Sequence, residues 1–249
     1  MWTDAHWLLW LTNYEQALAG LRSFEELEKF LHLVKRRGDI AERVDIIEVY
    51  NDAGTRTSFK TVREILTYIK NVTCVTLRFS FPPSGRILPT SLVLEHLTTL
   101  DVNIPHVTIA RFLRRHPQIT NLVLGPCNTE EHICPLAGCH LPNLWELTCP
   151  PACVRDLMIT GSPLTRLHVL HSTVQDANFP LFNFMYIRTL SVLTVLHLDF
   201  DHADTRLLQR ISAAAPALSI LKLTERLCLE VCHSICDLVN TLTISTVAV

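Results

Sequence analysis

The chain has 249 residues, 48% of them hydrophobic and only 18% charged, a balance that builds a folded core and excludes a disordered chain. A formal net charge of −2 gives no whole-chain attraction to nucleic acid or to an anionic membrane, so neither is expected as a partner. Asp4 stands where a secretory leader carries its positive region, and no run approaches the roughly 20 apolar residues of a spanning helix, so the reading is cytoplasmic or nuclear.

In such a compartment nine cysteines are expected to stay thiols, and an odd number rules out complete pairing. Asn71-Val72-Thr73 matches a glycosylation acceptor, which has little meaning without a secretory route.

In chain order, the first 43 residues read as a helical cap. Trp2, Trp7, Trp10 and Tyr14 crowd its start as packing aromatics. Leu18, Leu21, Phe24, Leu27, Leu31 and Val34 then recur at the spacing of one helical face. Ser23 with Glu26 forms a capping-box pattern, and Gly38 after Lys35-Arg36-Arg37 predicts the helix stop.

From Val44 onward one pattern repeats: apolar, two of any kind, apolar, one of any kind, apolar. It starts at Val44, Val72, Leu97, Ile119, Leu144, Leu164, Leu193, Leu218 and Val239, with gaps of 28, 25, 22, 25, 20, 29, 25 and 21 residues. That motif and period are the signature of a leucine-rich-repeat solenoid, in which each copy is a strand followed by a return segment. The predicted fold is therefore α/β: an irregular solenoid over residues 44–249, one parallel strand per repeat, after the cap at 1–43. The later apolar positions of each motif (Val75 and Leu77, Leu100 and Val102, Leu122 and Leu124, Leu196 and Leu198, Leu221 and Leu223) should point inward. The alternate residues should face a concave surface.

Several returns read as helices. Val62, Ile65, Leu66 and Ile69 make one stripe; Pro105 opens another helix through Ile109, Phe112 and Leu113. Asp201 is expected to cap a helix carrying Leu207, Leu208 and Ile211, and Thr224 one carrying Val231, Cys232 and Ile235. Between Pro126 and Asn183 the returns should be loops or short turns. The last strand, Leu242–Ile244, lies just before Val249 with no polar segment after it, so either the chain continues or something covers that edge.

Leu141-Pro142-Asn143-Leu144-Trp145-Glu146-Leu147 and Pro216-Ala217-Leu218-Ser219-Ile220-Leu221-Lys222-Leu223, together with the period, resemble the leucine-rich-repeat region of fungal-type F-box proteins over about residues 40–249. The resemblance implies a substrate receptor of a ubiquitin ligase, with a protein substrate held by the repeats and the ligase adaptor as a second partner. The N-terminus carries no Leu-Pro-x-Glu-like opening, so the F-box itself is not seen. Regular repeats also place Asn or Cys three residues after the last strand apolar. Here those positions are Asp52, Ser80, Pro105, Cys127, Ala152, Ser172, Asp201, Arg226 and Val247, of which only Cys127 fits, so the turns must satisfy their backbone differently.

The outward strand positions give the candidate protein-binding residues: Glu48, Tyr50, Arg78, Asp101, Asn103, Glu146, Arg166, His168, His197, Asp199 and Lys222. Their mixed charge suits protein recognition better than phosphate tracking. His168 and His197 hold the same slot in consecutive repeats and should lie about 4.8 Å apart.

No metal or cofactor is expected. Cys127, Cys134, Cys139, Cys149 and Cys153, with His132 and His140, are dense in thiols, but their spacings match no zinc module. Cys228, Cys232 and Cys236 share one predicted helix face with core packing. Gly-rich phosphate loops, G-x-S-x-G and H-E-x-x-H are missing, and only seven glycines occur, so the chain is not expected to be an enzyme.

Overall fold

The computed structural model describes residues 17–51, 56–80, 87–125, 127, 134–150, 153–154, 157, 162–170, 191–201, 207–226 and 240–245. They belong to two compact units, Met1–Asn128 and Thr129–Val249. The chain is α/β, with parallel strands and few helices, an arrangement compatible with a solenoid.

The first unit orders as β1 (Ala17–Leu21), α1 (Phe24–Arg36), α2 (Gly38–Arg43), β2 (Val44–Asn51), α3 (Arg56–Tyr68), β3 (Cys74–Phe79), β4 (Thr99–Val102), α4 (His106–Leu113) and β5 (Asn121–Leu124). Its five strands pair side by side in sequence order, all parallel. The expected helical face splits at Ser23. Leu18 and Leu21 lie in a strand paired with β2, because Ala19 and Leu21 also alternate and both point into the core. Phe24 onward is helical, started by the predicted capping box. Ser23 Oγ accepts from the Glu26 amide at 3.2 Å, and Glu26 Oε2 accepts from the Ser23 amide at 3.1 Å. The helix ends at Arg36, ahead of Gly38 as expected, and Gly38 then opens the short α2. Leu27, Phe30 and Val34 of α1 and Val62, Ile65 and Leu66 of α3 are buried, as is Ile69 just after α3, and the two helices pack together. Lys35 Nζ reaches Glu64 Oε1 across them at 2.6 Å.

The second unit carries β6 (Glu146–Cys149), β7 (Arg166–Val169), β8 (Val195–Asp201), α5 (Leu207–Ala214), β9 (Ile220–Arg226) and β10 (Asn240–Ser245). Strands β6 to β9 are parallel, but β10 runs antiparallel to β9, with Leu242 beside Leu223 and Ile244 beside Leu221. An alternating apolar pattern has no direction, so it is satisfied either way. Thr224 sits inside β9 and is not a helix cap; Asp201 ends β8, and the residues that follow it before the described start of α5 at Leu207 lie outside the described residues. Residues 227–239, with Cys228, Val231, Cys232, His233, Ile235 and Cys236, lie outside the described residues, as do Trp2, Trp7, Trp10, Tyr14 and His132.

The inward pairs named from sequence are all buried, Val75, Leu77, Leu100, Val102, Leu122 and Leu124 completely. Each such side chain contributes about 1.5–3 kcal/mol by leaving water. Thr76, expected at the surface, is only 6% exposed. It lies on the outward face, in register between Glu48 and Asp101.

Where the Asn/Cys ladder is missing, a hydroxyl ladder runs one residue after the first apolar position in six of the nine motifs. In the first unit Thr73, Thr98 and Thr120 donate from Oγ1 to the carbonyls of Asp45, Thr73 and Thr98 at 3.3, 3.3 and 3.2 Å. In the second, Thr165, Thr194 and Ser219 donate to Trp145, Thr165 and Thr194 at 3.2, 3.1 and 3.0 Å. The same carbonyls also take backbone amides, as Thr73 does from Thr98 and Thr99 at 2.9 and 3.0 Å. Each edge is thereby satisfied strand by strand.

Candidate functional site: the outward sheet faces

Each unit presents, opposite its buried rows, a face of in-register side chains. In the first unit the rows are Ile46–Cys74–Thr99–Asn121 and Glu48–Thr76–Asp101–Val123, with Tyr50 beside Arg78. Parallel pairing without slippage is what brings Glu48, Tyr50, Arg78 and Asp101 together. Arg78 Nη2 lies 2.6 Å from Asp101 Oδ1, an ion pair on a half-buried patch. Burial pushes the Asp101 carboxyl above its usual range, opposed by the Arg78 charge. Burial raises the Tyr50 phenol too, helped by Glu48 and Asp101, although the side chain remains 40% exposed. The Cys74 thiol is raised by burial and then by Glu48, so it is held as a thiol rather than a nucleophilic thiolate.

Asn103 does not join this patch. Its amide is committed to the backbone of β3: Phe79 N donates to Oδ1 at 2.9 Å, and Nδ2 donates to Phe79 O. It does the work expected of the ladder residue, two places earlier than the regular repeat puts it. Gly125 packs directly on it, since a Cβ there would come 2.6 Å from Asn103 Cα. The Gly125 carbonyl accepts from His106 Nε2 at 3.1 Å, which fixes that ring as the Nε2–H tautomer. Buried His116 is fixed the other way. Leu94 N donates to Nε2 at 3.0 Å, leaving Nδ1 to donate to Phe112 O at 2.7 Å.

In the second unit the rows are Glu146–Arg166–Val195–Ile220 and Thr148–His168–His197–Lys222. His168 and His197 are neighbours as expected, with ring centroids 5.2 Å apart and planes at 77°. Burial lowers the His197 imidazole, as does the Lys222 charge, while Glu146 acts against them. Asp199 pairs in register with Thr224, and its side chain lies outside the described residues. Arg166 lies with its guanidinium carbon 5.1 Å from the centroid of the Trp145 ring. Trp145 and Ile220 are 37% and 39% exposed. Counting polar residues on strands misses Trp145, Val195 and Ile220. The available signal was an aromatic standing between two buried motif leucines, Leu144 and Leu147.

The described cysteines Cys74, Cys127, Cys134, Cys139, Cys149 and Cys153 are not in disulfides. In the second unit the sulfurs of Cys134 and Cys153, both buried, lie within 4.8 Å of one another, and in the first a ring nitrogen of His106 lies as close to the Cys127 sulfur. No described helix is long and apolar enough to cross a membrane. No protein-family model matches the chain, and a search of curated proteins finds no match.

Proposed function

We propose that the chain is a leucine-rich-repeat scaffold that recognises a protein through its outward sheet faces and acts by binding rather than catalysis. Its resemblance to F-box/leucine-rich-repeat proteins makes it the substrate-receptor part of a ubiquitin ligase. The observation that carries the reading is the second unit's face. Four parallel strands hold Arg166, His168, His197 and Lys222 in register beside the exposed Trp145 and Ile220. Trp and Arg are the side chains that most often anchor protein interfaces, and a rigid sheet presents them at little entropic cost. The recurring hydroxyl ladder supports the repeat reading, because one side-chain role returns at one motif position in both units.

The test is affinity capture of the full chain from lysate, read by mass spectrometry, beside an Arg166→Glu/Lys222→Glu variant and an Arg111→Glu control on the exposed side of α4. Adaptor and cullin subunits in the eluate, with further proteins lost only from the double variant, are the expected result. A reproducible partner lost from the double variant without adaptor or cullin would make the chain a ligase-independent scaffold. Partners indifferent to the sheet face would overturn the recognition reading.

A further inference from the structure

The chemistry of the partner can be narrowed from the second unit. Its described face carries two permanent cations, Arg166 and Lys222, and one carboxylate, Glu146. Among the described residues neither cation forms an ion pair, unlike Arg78 of the first unit, which is paired with Asp101. The Arg166 guanidinium lies over the Trp145 ring, and a guanidinium on an aromatic face keeps its edge donors for a carboxylate. Beside it, in register, Val195 and the exposed Ile220 supply apolar surface. His168 and His197 fill the row between Thr148 and Lys222 with side chains that donate to or accept from a peptide.

We infer that this face binds an extended acidic segment of a partner protein, with two carboxylates on Arg166 and Lys222 and one large apolar side chain against Trp145, Val195 and Ile220. The inference rests on the recognition reading and specifies its ligand. Arg166 and Lys222 stand two strands apart and two residues out of step, on the order of 12 Å by strand geometry. An extended peptide rises about 3.3 Å per residue and alternates its side chains, so two carboxylates on the same side near that distance should be four residues apart. Complementary charge of this kind fixes register and partner choice, and weakens with salt.

The experiment uses the full chain and three fluorescein-labelled synthetic peptides with one central Phe, flanked at that spacing by Glu, by Gln or by Lys. Fluorescence anisotropy should show the Glu peptide binding at least tenfold more tightly than the Gln peptide, with the Lys peptide not binding. Added salt should erase most of that preference. Arg166→Gln/Lys222→Gln, checked for an unchanged melting curve, should cost the Glu peptide tenfold or more, and Glu48→Gln in the first unit should change nothing. Equal binding of the Glu and Gln peptides, or binding that survives the double variant, would overturn the inference. If no peptide binds while captured proteins are still lost from the charge-reversed face, the acidic ligand is wrong and recognition stands. If neither readout responds to the face, both fail.

Discussion

The two sheet faces are built alike and differ in what they leave available. Both rest on alternating buried rows and on the same hydroxyl ladder, yet the first unit neutralises its central arginine internally, with Asp101 2.6 Å from Arg78. The second sets a cation from a different repeat position, Arg166, on an aromatic ring instead. A paired charge on a half-buried patch contributes to folding and little to recognition. A charge held over an indole, with no carboxylate partner among the described residues, is positioned for a partner molecule. The scaffold is therefore common to both units, and the chemistry offered outward is particular to each.

The comparison breaks first if the scaffold is not common. Leu77→Asp in the first unit and Leu198→Asp in the second each bury an unpaired charge in a row that is closed to water. Both should cost more than about 4 kcal/mol and abolish the cooperative melt followed by circular dichroism. A folded Leu198→Asp protein would show that the strand alternation in the second unit is misassigned. Next in size is Gly125→Ala, which drives a methyl group to within 2.6 Å of Asn103 Cα. Backbone cannot yield as a flexible side chain does, so a loss of about 1–3 kcal/mol is expected, a fall in melting temperature of roughly 2–4 °C per kcal/mol.

The sharper test sets the two arginines against each other. Arg78→Ala leaves the Asp101 carboxylate half-buried without its cation, a loss of about 1–3 kcal/mol. Arg166→Ala removes an exposed side chain stacked on Trp145 and should cost under about 1 kcal/mol. Denaturant titrations of the two variants should differ in that order, and equal losses would erase the distinction between the faces.

Much of this was legible in residue order because burial leaves a period. The pairs at Val75 and Leu77 or Leu196 and Leu198 alternate as strands must, and Val62 to Ile69 recur as a helix must. The neighbouring imidazoles of His168 and His197 followed from counting within the repeat. What failed did so where one pattern fits two structures. Leu18 and Leu21 are three apart, as on a helix, yet Ala19 and Leu21 also alternate, and a paired strand wins. The direction of β10 is invisible because alternation reads the same both ways. Asn103 counted as a contact residue because its position faces outward, but the backbone of Phe79 needed both ends of its amide more. Trp145 was passed over because it precedes its strand.

The smallest expected effect separates the units by pH. His116 and Ala215 occupy the same motif position, three residues before Ile119 and Leu218, and both are buried. Only the histidine titrates. Burial depresses its imidazole below the ordinary 6.5, with nearby Arg115 adding to the shift and the Phe112 carbonyl opposing it. The folded state therefore holds the proton less readily than the unfolded chain. Its contribution to stability is complete above 6.5 and is lost as pH falls through the depressed value. The structural reason is the tautomer: Nε2 accepts from Leu94 N, and a proton there removes the acceptor. Hydrogen exchange should show the Leu94 amide losing protection below that pH, while amides around Ala215 do not change. His116→Gln should remove the pH dependence. His197→Gln, at the other lowered imidazole, should leave it in place, because that ring is partly exposed and water screens its charge. Loss of the pH dependence in His197→Gln alone would move the acid-sensitive element to the second unit and invert the comparison.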